Sequence, residues 1–147
     1  MFDSHDKSLP MPPAYPRWLG DIGGTNARFG WQVSVDAPIT DVHVLACADY
    51  VSLADAASAY LALIDRAAPA SAAFGIANPV FSDAIEMTNH HWRFSIDALR
   101  RALGLQRLLL INDFTALALA LTRLPDSSKR LIGGAQAVAA PDAAIGL

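Results

Sequence analysis

The chain has 147 residues, enough for one domain with a modest hydrophobic core. Hydrophobic residues make up 53% of it and charged residues 17%, which excludes an intrinsically disordered chain. The formal net charge is −3 and no basic patch occurs, so we expect no nucleic-acid partner. No apolar run reaches the length of a membrane span, and the single cysteine, Cys47, excludes an internal disulfide. We therefore expect a globular protein of the cytoplasm with no membrane partner.

The first part of the chain predicts a tail followed by a strand meander. Residues 1–16 carry four prolines among charged and polar side chains and lack the continuous apolar core of a signal peptide. We interpret them as a flexible tail. Three strands follow, at about Arg17–Ile22, Ala27–Val33 and Val42–Ala48, and their short connections favour antiparallel pairing.

The Gly23-Gly24 pair between the first two strands predicts a tight hairpin turn with positive φ at its central residues. Glycines also let backbone N–H groups approach an anion without a Cβ in the way. Asp21, just before the turn, is suited to hold a hydrated Mg²⁺, which takes one or two carboxylates and keeps several waters. The segment therefore fits a nucleotide-phosphate site. It fits equally an ordinary hairpin whose Asp21 and Thr25 bond the local backbone.

Helices and strands alternate in the rest of the chain. A helix is predicted to begin at the N-cap Ser52 and to end at Pro69, and a second to run from the N-cap Ser95 to Gly104. Between them, Ala72–Ala77 is a short apolar strand. This alternation predicts parallel crossovers, so the most economical architecture is one mixed sheet flanked by helices.

The apolar run Leu108–Ile111 has the length and composition of a parallel strand buried on both faces. The helix predicted at about Phe114–Leu124 is apolar nearly all round and so needs cover on more than one side. The end of the chain, Ala143–Leu147, predicts a strand that enters a glycine turn. We expect the chain to be the front part of a longer protein.

Asn112 and Asp113 follow the buried strand, and ligands in open α/β sheets bind at the carboxyl ends of strands. A carboxylate at Asp113 is placed to accept a proton from a substrate hydroxyl. The alternative is a helix N-cap, a position that Asp fills well. The Asn112 amide suits hydrogen bonds to a polyol, or a simple turn at the strand end.

The loop Met87–Trp92 is polar with one large aromatic side chain, which fits a sugar site or a turn anchored by Trp92. Its adjacent histidines, His90 and His91, do not predict a metal site. Side chains of adjacent residues seldom bind the same ion, and the sequence has no further cluster of His, Cys or Asp at the spacing of metal ligands.

Four blocks of the sequence, in this order, resemble the bacterial glucokinases of the hexokinase-like, actin-like ATPase superfamily: Gly20–Arg28, Ile76–Val80, Met87–Ser95 and Ile111–Ala116. The resemblance covers about Trp18 to Leu147. The wider actin-like sugar kinases share the first block in looser form, whereas the other three together are specific to ATP-dependent glucokinase.

The resemblance implies an α/β, ribonuclease H-like fold in two lobes with ATP in the cleft between them. Residues 17–142 would form the N-terminal lobe, with an antiparallel three-strand meander followed by parallel β/α units, and residues 143–147 would begin the C-terminal lobe. The implied activity is phosphorylation of glucose at its 6-hydroxyl, with ATP and Mg²⁺. The alternatives are a non-catalytic sugar sensor or regulator of the same fold and an actin-like ATPase.

The resemblance also implies roles for individual residues. Asp113 would be the catalytic base, and Asp21 would face the Mg²⁺ through water. The sugar would be bound by Asn112, Asp113 and Asn89, and the ATP phosphates by Gly20, Asp21, Ile22, Gly23, Gly24 and Thr25. Asn78 departs from the small residue expected before Pro79.

The family's second phosphate-binding turn would begin near Gly146. We therefore expect the chain alone to be inactive, to require a C-terminal lobe, and to be capable of forming a homo-oligomer.

Overall fold

The computed structural model describes residues 15–88 and 90–130. Its strands, in chain order, are β1 (Arg17–Ile22), β2 (Asn26–Gln32), β3 (Thr40–Ala46), β4 (Ser71–Ile76), β5 (Ala84–Glu86), β6 (Arg93–Ser95) and β7 (Arg107–Asn112). The helices are α1 (Leu53–Leu63), α2 (Ile96–Ala102) and α3 (Asp113–Leu121), with short 3₁₀ turns at Cys47–Asp49 and Asp126–Ser128. Most of the predicted tail and the predicted last strand lie outside the described residues.

The main sheet has five strands in the order β3-β2-β1-β4-β7. β1, β2 and β3 pair antiparallel through short connections, whereas β1 pairs parallel to β4 and β4 parallel to β7. The parallel pairs need crossover connections, and these contain α1 and α2. The predicted mixed sheet, a meander followed by β/α units, is confirmed.

Both predicted N-caps are confirmed. The Ser52 hydroxyl accepts a hydrogen bond from the Asp55 N–H at 3.1 Å, and the Ser95 hydroxyl accepts one from the Ala98 N–H at 3.0 Å. Each bond satisfies one of the backbone donors that a helix start leaves without a partner.

α1 and α2 end in the same way, but the residue that ends α1 is not the predicted one. Pro69 does not end α1, because Asp65 adopts a left-handed φ of 51° directly after the C-cap. The Arg66 N–H then donates back to the Leu61 carbonyl at 3.1 Å, which completes a Schellman motif. At α2 the predicted Gly104 takes this place, with φ 68°.

One face of the sheet carries an aromatic cluster of Trp18, Phe29, Tyr60 and Phe74. Their ring centroids lie 5.2–5.8 Å apart, and all four side chains are at most 1% exposed. α1 contributes Tyr60 to this core. Gly20 lies beneath the cluster, where a Cβ would stand 2.6 Å from the Phe74 ring. Its lack of a side chain therefore makes room for the core.

α3 lies over the opposite face. A Cβ built on Gly75 would stand 3.5 Å from the Ala116 Cβ and 3.9 Å from the Asp113 Cα, so Gly75 permits this close approach. α3 is shorter than predicted, and none of its residues is buried. Phe114, Leu117 and Leu119 are 71%, 52% and 60% exposed, in agreement with the expectation that this helix needs further cover.

The hairpin of β5 and β6 is absent from the predicted elements. Each strand has three residues, and the Met87 N–H donates to the Trp92 carbonyl at 3.0 Å to close their connection. Across the described part of the chain, no helix has the length and apolar character needed to span a bilayer.

Candidate functional site

The carboxyl ends of β1, β4 and β7 lie side by side. Ile22 is the register partner of Ile76, and Ile76 is the partner of Asn112. Neighbouring strands lie ~4.8 Å apart, so the turn after β1 and the start of α3 after β7 are separated by roughly 10 Å along one edge. The sequence-predicted phosphate turn and Asn112-Asp113 pair therefore lie on the same edge.

The turn after β1 has its carbonyl groups occupied and its central amides free. The Cys47 N–H donates to the Thr25 carbonyl at 2.8 Å, and the Cys47 thiol donates to the Gly23 carbonyl at 3.5 Å. Burial raises the pKa of this thiol, which keeps it protonated as a donor. The Gly24 and Thr25 N–H groups have no acceptor among the described residues. Two free donors at a turn tip suit an anion.

The backbone of this turn differs from the predicted one. Gly104 is the one described glycine in the left-handed region, so the expected positive φ at Gly23 and Gly24 is wrong. The Gly23 N–H donates to the Asn26 carbonyl at 2.9 Å, and a Cβ on Gly23 would stand only 3.3 Å from that oxygen. A glycine is suited here because of this close backbone approach.

Asp21 lies on the face of the sheet that carries α3. Its register partner in β4 is Gly75, the residue beneath the Asp113 Cα. The Asp21 carboxylate is 65% exposed and lies 3.4 Å from the Arg28 guanidinium, itself 58% exposed. An ion pair this exposed is weak and gives way readily to other partners. A shallow groove of about 270 Å³ adjoins Asp21.

Asp113 is the first residue of α3, and Asn112 is the N-cap. The Asn112 side-chain oxygen accepts from the Phe114 N–H at 3.1 Å and the Thr115 N–H at 3.3 Å. The alternative that Asp113 caps the helix is therefore wrong. One Asp113 carboxylate oxygen accepts from the Phe114 N–H at 2.8 Å and the Asn112 amide at 3.0 Å, and the other has no partner among the described residues.

A larger groove, of about 450 Å³, opens beside Asn112 and Thr115 and is bounded on its other side by residues 79–81. The Asn112 amide also donates to the Asn78 carbonyl at 3.2 Å. The site thus has open space next to Asn112, the residue before Asp113.

The loop between β5 and β6 is anchored by its tryptophan. Trp92 is 1% exposed, and its indole N–H donates to the Tyr50 carbonyl at 3.1 Å. The His90 ring centroid lies 4.1 Å from that of His91 and 4.5 Å from that of Trp92. Burial, and then the charge of His91, lower the pKa of His90. Asn89 lies outside the described residues.

Of the predicted site residues, the structure brings together Asp21, Gly23, Gly24, Thr25, Asn112 and Asp113. Gly20 lies in the middle of β1, and the Ile22 side chain is fully buried, so only its main chain reaches the edge. In the described part of the chain, no group of three His, Cys, Asp or Glu side chains is arranged to hold a metal. The sequence analysis did not predict the contacts of Cys47 and Asn78. For Asn78 there was one indication, since it stands before Pro79 where a small residue is expected.

Comparisons with known proteins identify the family to which the chain belongs. Residues 18–146 match the family model described as glucokinase. The chain is 55% identical to a glucokinase of Aromatoleum aromaticum over 122 residues, 82% of this chain and 37% of the relative. It is 50% identical to a glucokinase of Chromobacterium violaceum over 140 residues, 95% of this chain and 39% of the relative. The chain thus spans about two fifths of the length of these curated relatives.

A solved glucokinase from an Antarctic psychrotroph superposes with a TM-score of 0.75 at 33% identity, covering 83% of this chain and 39% of that one. With the sheet order and the turn at its carboxyl edge, this places the protein in the ribonuclease H-like class of actin-like ATPase folds. Because the family model matches most of the sequence, the assignment can be narrower. The chain belongs to the glucokinase family.

Proposed function

We propose that this chain forms one wall of the cleft of an ATP-dependent glucose kinase, which transfers the γ-phosphoryl group of ATP to the 6-hydroxyl of glucose. The observation that carries the proposal is the shared sheet edge. Free backbone amides at Gly24 and Thr25 lie there beside a half-buried carboxylate at Asp113. One element suits phosphate and the other suits a hydroxyl proton. We further propose that the protein works in the cytoplasm.

The turn after β1 supports phosphate binding through its polarity. Cys47 bonds the Gly23 and Thr25 carbonyl groups, so these two acceptors are already occupied while the Gly24 and Thr25 N–H groups remain without an acceptor among the described residues. We expect the Gly24 and Thr25 N–H groups to bond phosphate oxygens. Pre-positioned donors of this kind stabilise a loose phosphoryl-transfer transition state, which depends mainly on positioning and charge.

Asp21 fits a hydrated Mg²⁺ that accompanies the nucleotide. Its exposed carboxylate stands on the α3 face next to the turn, and a carboxylate with open space around it suits an ion that keeps most of its waters. When bound, such an ion neutralises charge on the phosphates. Asp21 itself would orient one or two of the coordinated waters.

Asp113 supports the transfer step as the group that accepts the 6-hydroxyl proton. Two donors, the Phe114 N–H and the Asn112 amide, fix one of its oxygens. The other oxygen remains for the substrate hydroxyl. Asn112, and Asn89 by its place in the sequence, would bond neighbouring sugar hydroxyls.

The test uses a fused protein in which the 147 residues are joined to the remaining C-terminal residues of the Aromatoleum glucokinase. We expect glucose-dependent formation of glucose 6-phosphate and ADP from the fused protein, and background rates from the 147-residue chain alone. ATP consumption without dependence on sugar would indicate an ATPase instead, and glucose binding without turnover would indicate a sensor.

Asp113→Asn in the fused protein should lower kcat by about 10²–10⁴-fold, the usual contribution of a general base. Asp36→Asn is the matched control, because Asp36 is exposed in the connection after β2, at the opposite edge of the sheet. A kcat near that of the unaltered protein in Asp113→Asn would refute the assignment of the base.

A further inference from the structure

Asn78 is the one buried residue in the described part of the chain with a charged or amide side chain, with 8% of its surface exposed. Its side-chain oxygen accepts from both the Thr88 N–H at 3.1 Å and the Thr88 hydroxyl at 2.9 Å. Its amide nitrogen donates to the Pro79 carbonyl at 3.1 Å. Asn78 therefore joins the loop after β4 to the β5–β6 connection, ten residues further along the chain.

The main chain of Asn78 also contacts Asn112, the residue before Asp113. Its N–H donates to the Ile76 carbonyl at 2.7 Å, which turns the chain sharply at the end of β4. Its carbonyl then accepts from the Asn112 amide at 3.2 Å. The same Asn112 amide nitrogen donates to Asp113 at 3.0 Å. Asn78 is thus two hydrogen bonds away from the Asp113 carboxylate.

All four hydrogen-bonding positions of the Asn112 side chain are used within the protein in this arrangement, so a sugar hydroxyl would have to replace one of these bonds. An amide offers two N–H donors and an oxygen with two lone pairs. The donors go to Asn78 and Asp113, and the oxygen accepts from the Phe114 and Thr115 N–H groups. The orientation of the Asn112 amide, and with it one donor to Asp113, depends on where the Asn78 carbonyl points.

We propose that Asn78 is a positioning residue: by bonding Thr88 and Pro79 it fixes the peptide whose carbonyl orients Asn112 beside Asp113. The proposal rests on the proposed function, because it assigns a role in aligning the catalytic carboxylate and the sugar loop. A Gly or Ala at this position would leave the loop after β4 without its side-chain bonds. The Asn112 amide would then lose one of the bonds that orient it beside Asp113 and would be held only through its oxygen.

The first test measures amide hydrogen exchange in the 147-residue chain and needs no enzymatic activity. In Asn78→Ala, exchange at Thr88, Phe114 and Thr115 should accelerate about tenfold, as expected when a hydrogen bond worth about a factor of ten is lost. The Ala98 amide, capped by Ser95 on a separate helix, is the internal control and should not change. Unchanged exchange at Phe114 and Thr115 would overturn the proposal.

Two further variants separate positioning from general destabilisation. Asn78→Asp keeps an acceptor oxygen for Thr88 and should retain most of the protection at that amide. Thr88→Val, at an exposed position, removes one hydroxyl bond and should accelerate exchange at Phe114 and Thr115 by a smaller factor. If Asn78→Ala fails to fold, Thr88→Val decides the matter: no change at Phe114 and Thr115 would contradict the proposal.

The second test measures kinetics of the fused protein. Asn78→Ala should lower kcat/KM for glucose about 10- to 100-fold, the effect of a small misplacement of reacting groups, with KM for ATP changed less than about twofold. A KM for ATP that rises as steeply as kcat/KM for glucose falls would indicate a structural role only and would overturn the positioning role. An inactive unaltered protein would refute the proposed function, whereas the exchange experiment would still report on Asn78.

Discussion

The hydroxyl of Tyr60 is a buried polar group that opposes folding. Tyr60 is fully buried, and its hydroxyl has no hydrogen-bond partner among the described residues. Burial is the main cause that raises the pKa of Tyr60 to about 12. The Asp41 carboxylate also raises this pKa, and the Arg66 guanidinium partly offsets the rise. A buried hydroxyl without a partner loses its bonds to water and gains nothing in return. The stabilising part of this residue is therefore its ring, which contacts Trp18 and Phe29.

Tyr60→Phe should leave the free energy of unfolding unchanged or raise it by about 1 kcal/mol, because it removes only the unpaired hydroxyl. Urea denaturation at neutral pH measures this. Between pH 10 and 12 the unfolded tyrosine ionises while the buried one stays protonated, so the stability of the parent chain falls as pH rises, and this component should be absent in the variant. Tyr50→Phe serves as the control. A loss of more than 1 kcal/mol in Tyr60→Phe would contradict the description of the hydroxyl.

At the scale of elements, the two Schellman motifs offer a matched comparison. α2 ends at Gly104 with φ 68°, and α1 ends at Asp65 with φ 51°. The left-handed region costs residues with a Cβ roughly 1–2 kcal/mol, less for Asp, whereas glycine enters it freely. The same backbone bonds close both motifs, so the difference between them lies in the side chain.

Asp65→Gly should raise the free energy of unfolding by about 0.5–1 kcal/mol, and Gly104→Ala should lower it by about 1 kcal/mol. Thermal and urea denaturation of both variants measure the pair. We predict that the two substitutions change the free energy of unfolding in opposite directions. Changes in the same direction would contradict the prediction.

These helix ends also show which elements the sequence predicts. Ser52, Ser95 and Gly104 act through bonds to backbone groups within a few residues, so each is recognisable from its neighbours. Asp65 is not recognisable as a helix end, because no local sequence pattern marks an Asp that adopts a left-handed conformation. Pro69 is a stronger indication of a helix end, but it lies four residues further along the chain. The three-residue strands β5 and β6 are too short to show a period of two.

In the candidate site, too, some features can be predicted from the sequence and others cannot. Asp21 lies at the end of a predicted strand, and Gly23 and Asp113 come shortly after predicted strands, so their common edge follows from parallel topology once the strands are assigned. The bond from Thr88 to Asn78 joins residues on different loops, and the bond from Asn112 to Asn78 joins β7 to the loop after β4. Contacts of this kind depend on tertiary packing, which no local pattern reports.

At the scale of the whole molecule, much apolar surface remains exposed. It includes α3, over β4 and β7, and the edge strand β3 at the other side of the sheet, where Val42 and Val44 are 53% and 52% exposed. Exposed apolar surface of this extent is unusual on a monomeric protein and marks contact surfaces. The chain spans about two fifths of the length of its curated relatives, and a segment like the one they have beyond the matched part would be expected to cover this surface.

In isolation, the 147-residue chain should self-associate through this surface. The variant Leu117→Gln with Leu119→Gln should remain a 15.6 kDa monomer in sedimentation velocity at concentrations where the parent chain forms larger species. Val51→Ser, which removes an 83% exposed side chain from the turn before α1, is the control and should associate like the parent. A parent chain that stays monomeric at the highest concentration tested would contradict the expectation.

The alignment of Ile22, Ile76 and Asn112 has a consequence for biosynthesis. A ribosome releases β1 to β3 first, and these can pair with one another as soon as they leave the exit tunnel, because their contacts are local. The nascent chain carries its glycine turn long before Asp113, which shares the same edge of the finished sheet. Translation that stops before β7 therefore yields a pairing-competent meander with an unfinished sheet margin and without Asp113, a species that cellular quality control would have to remove.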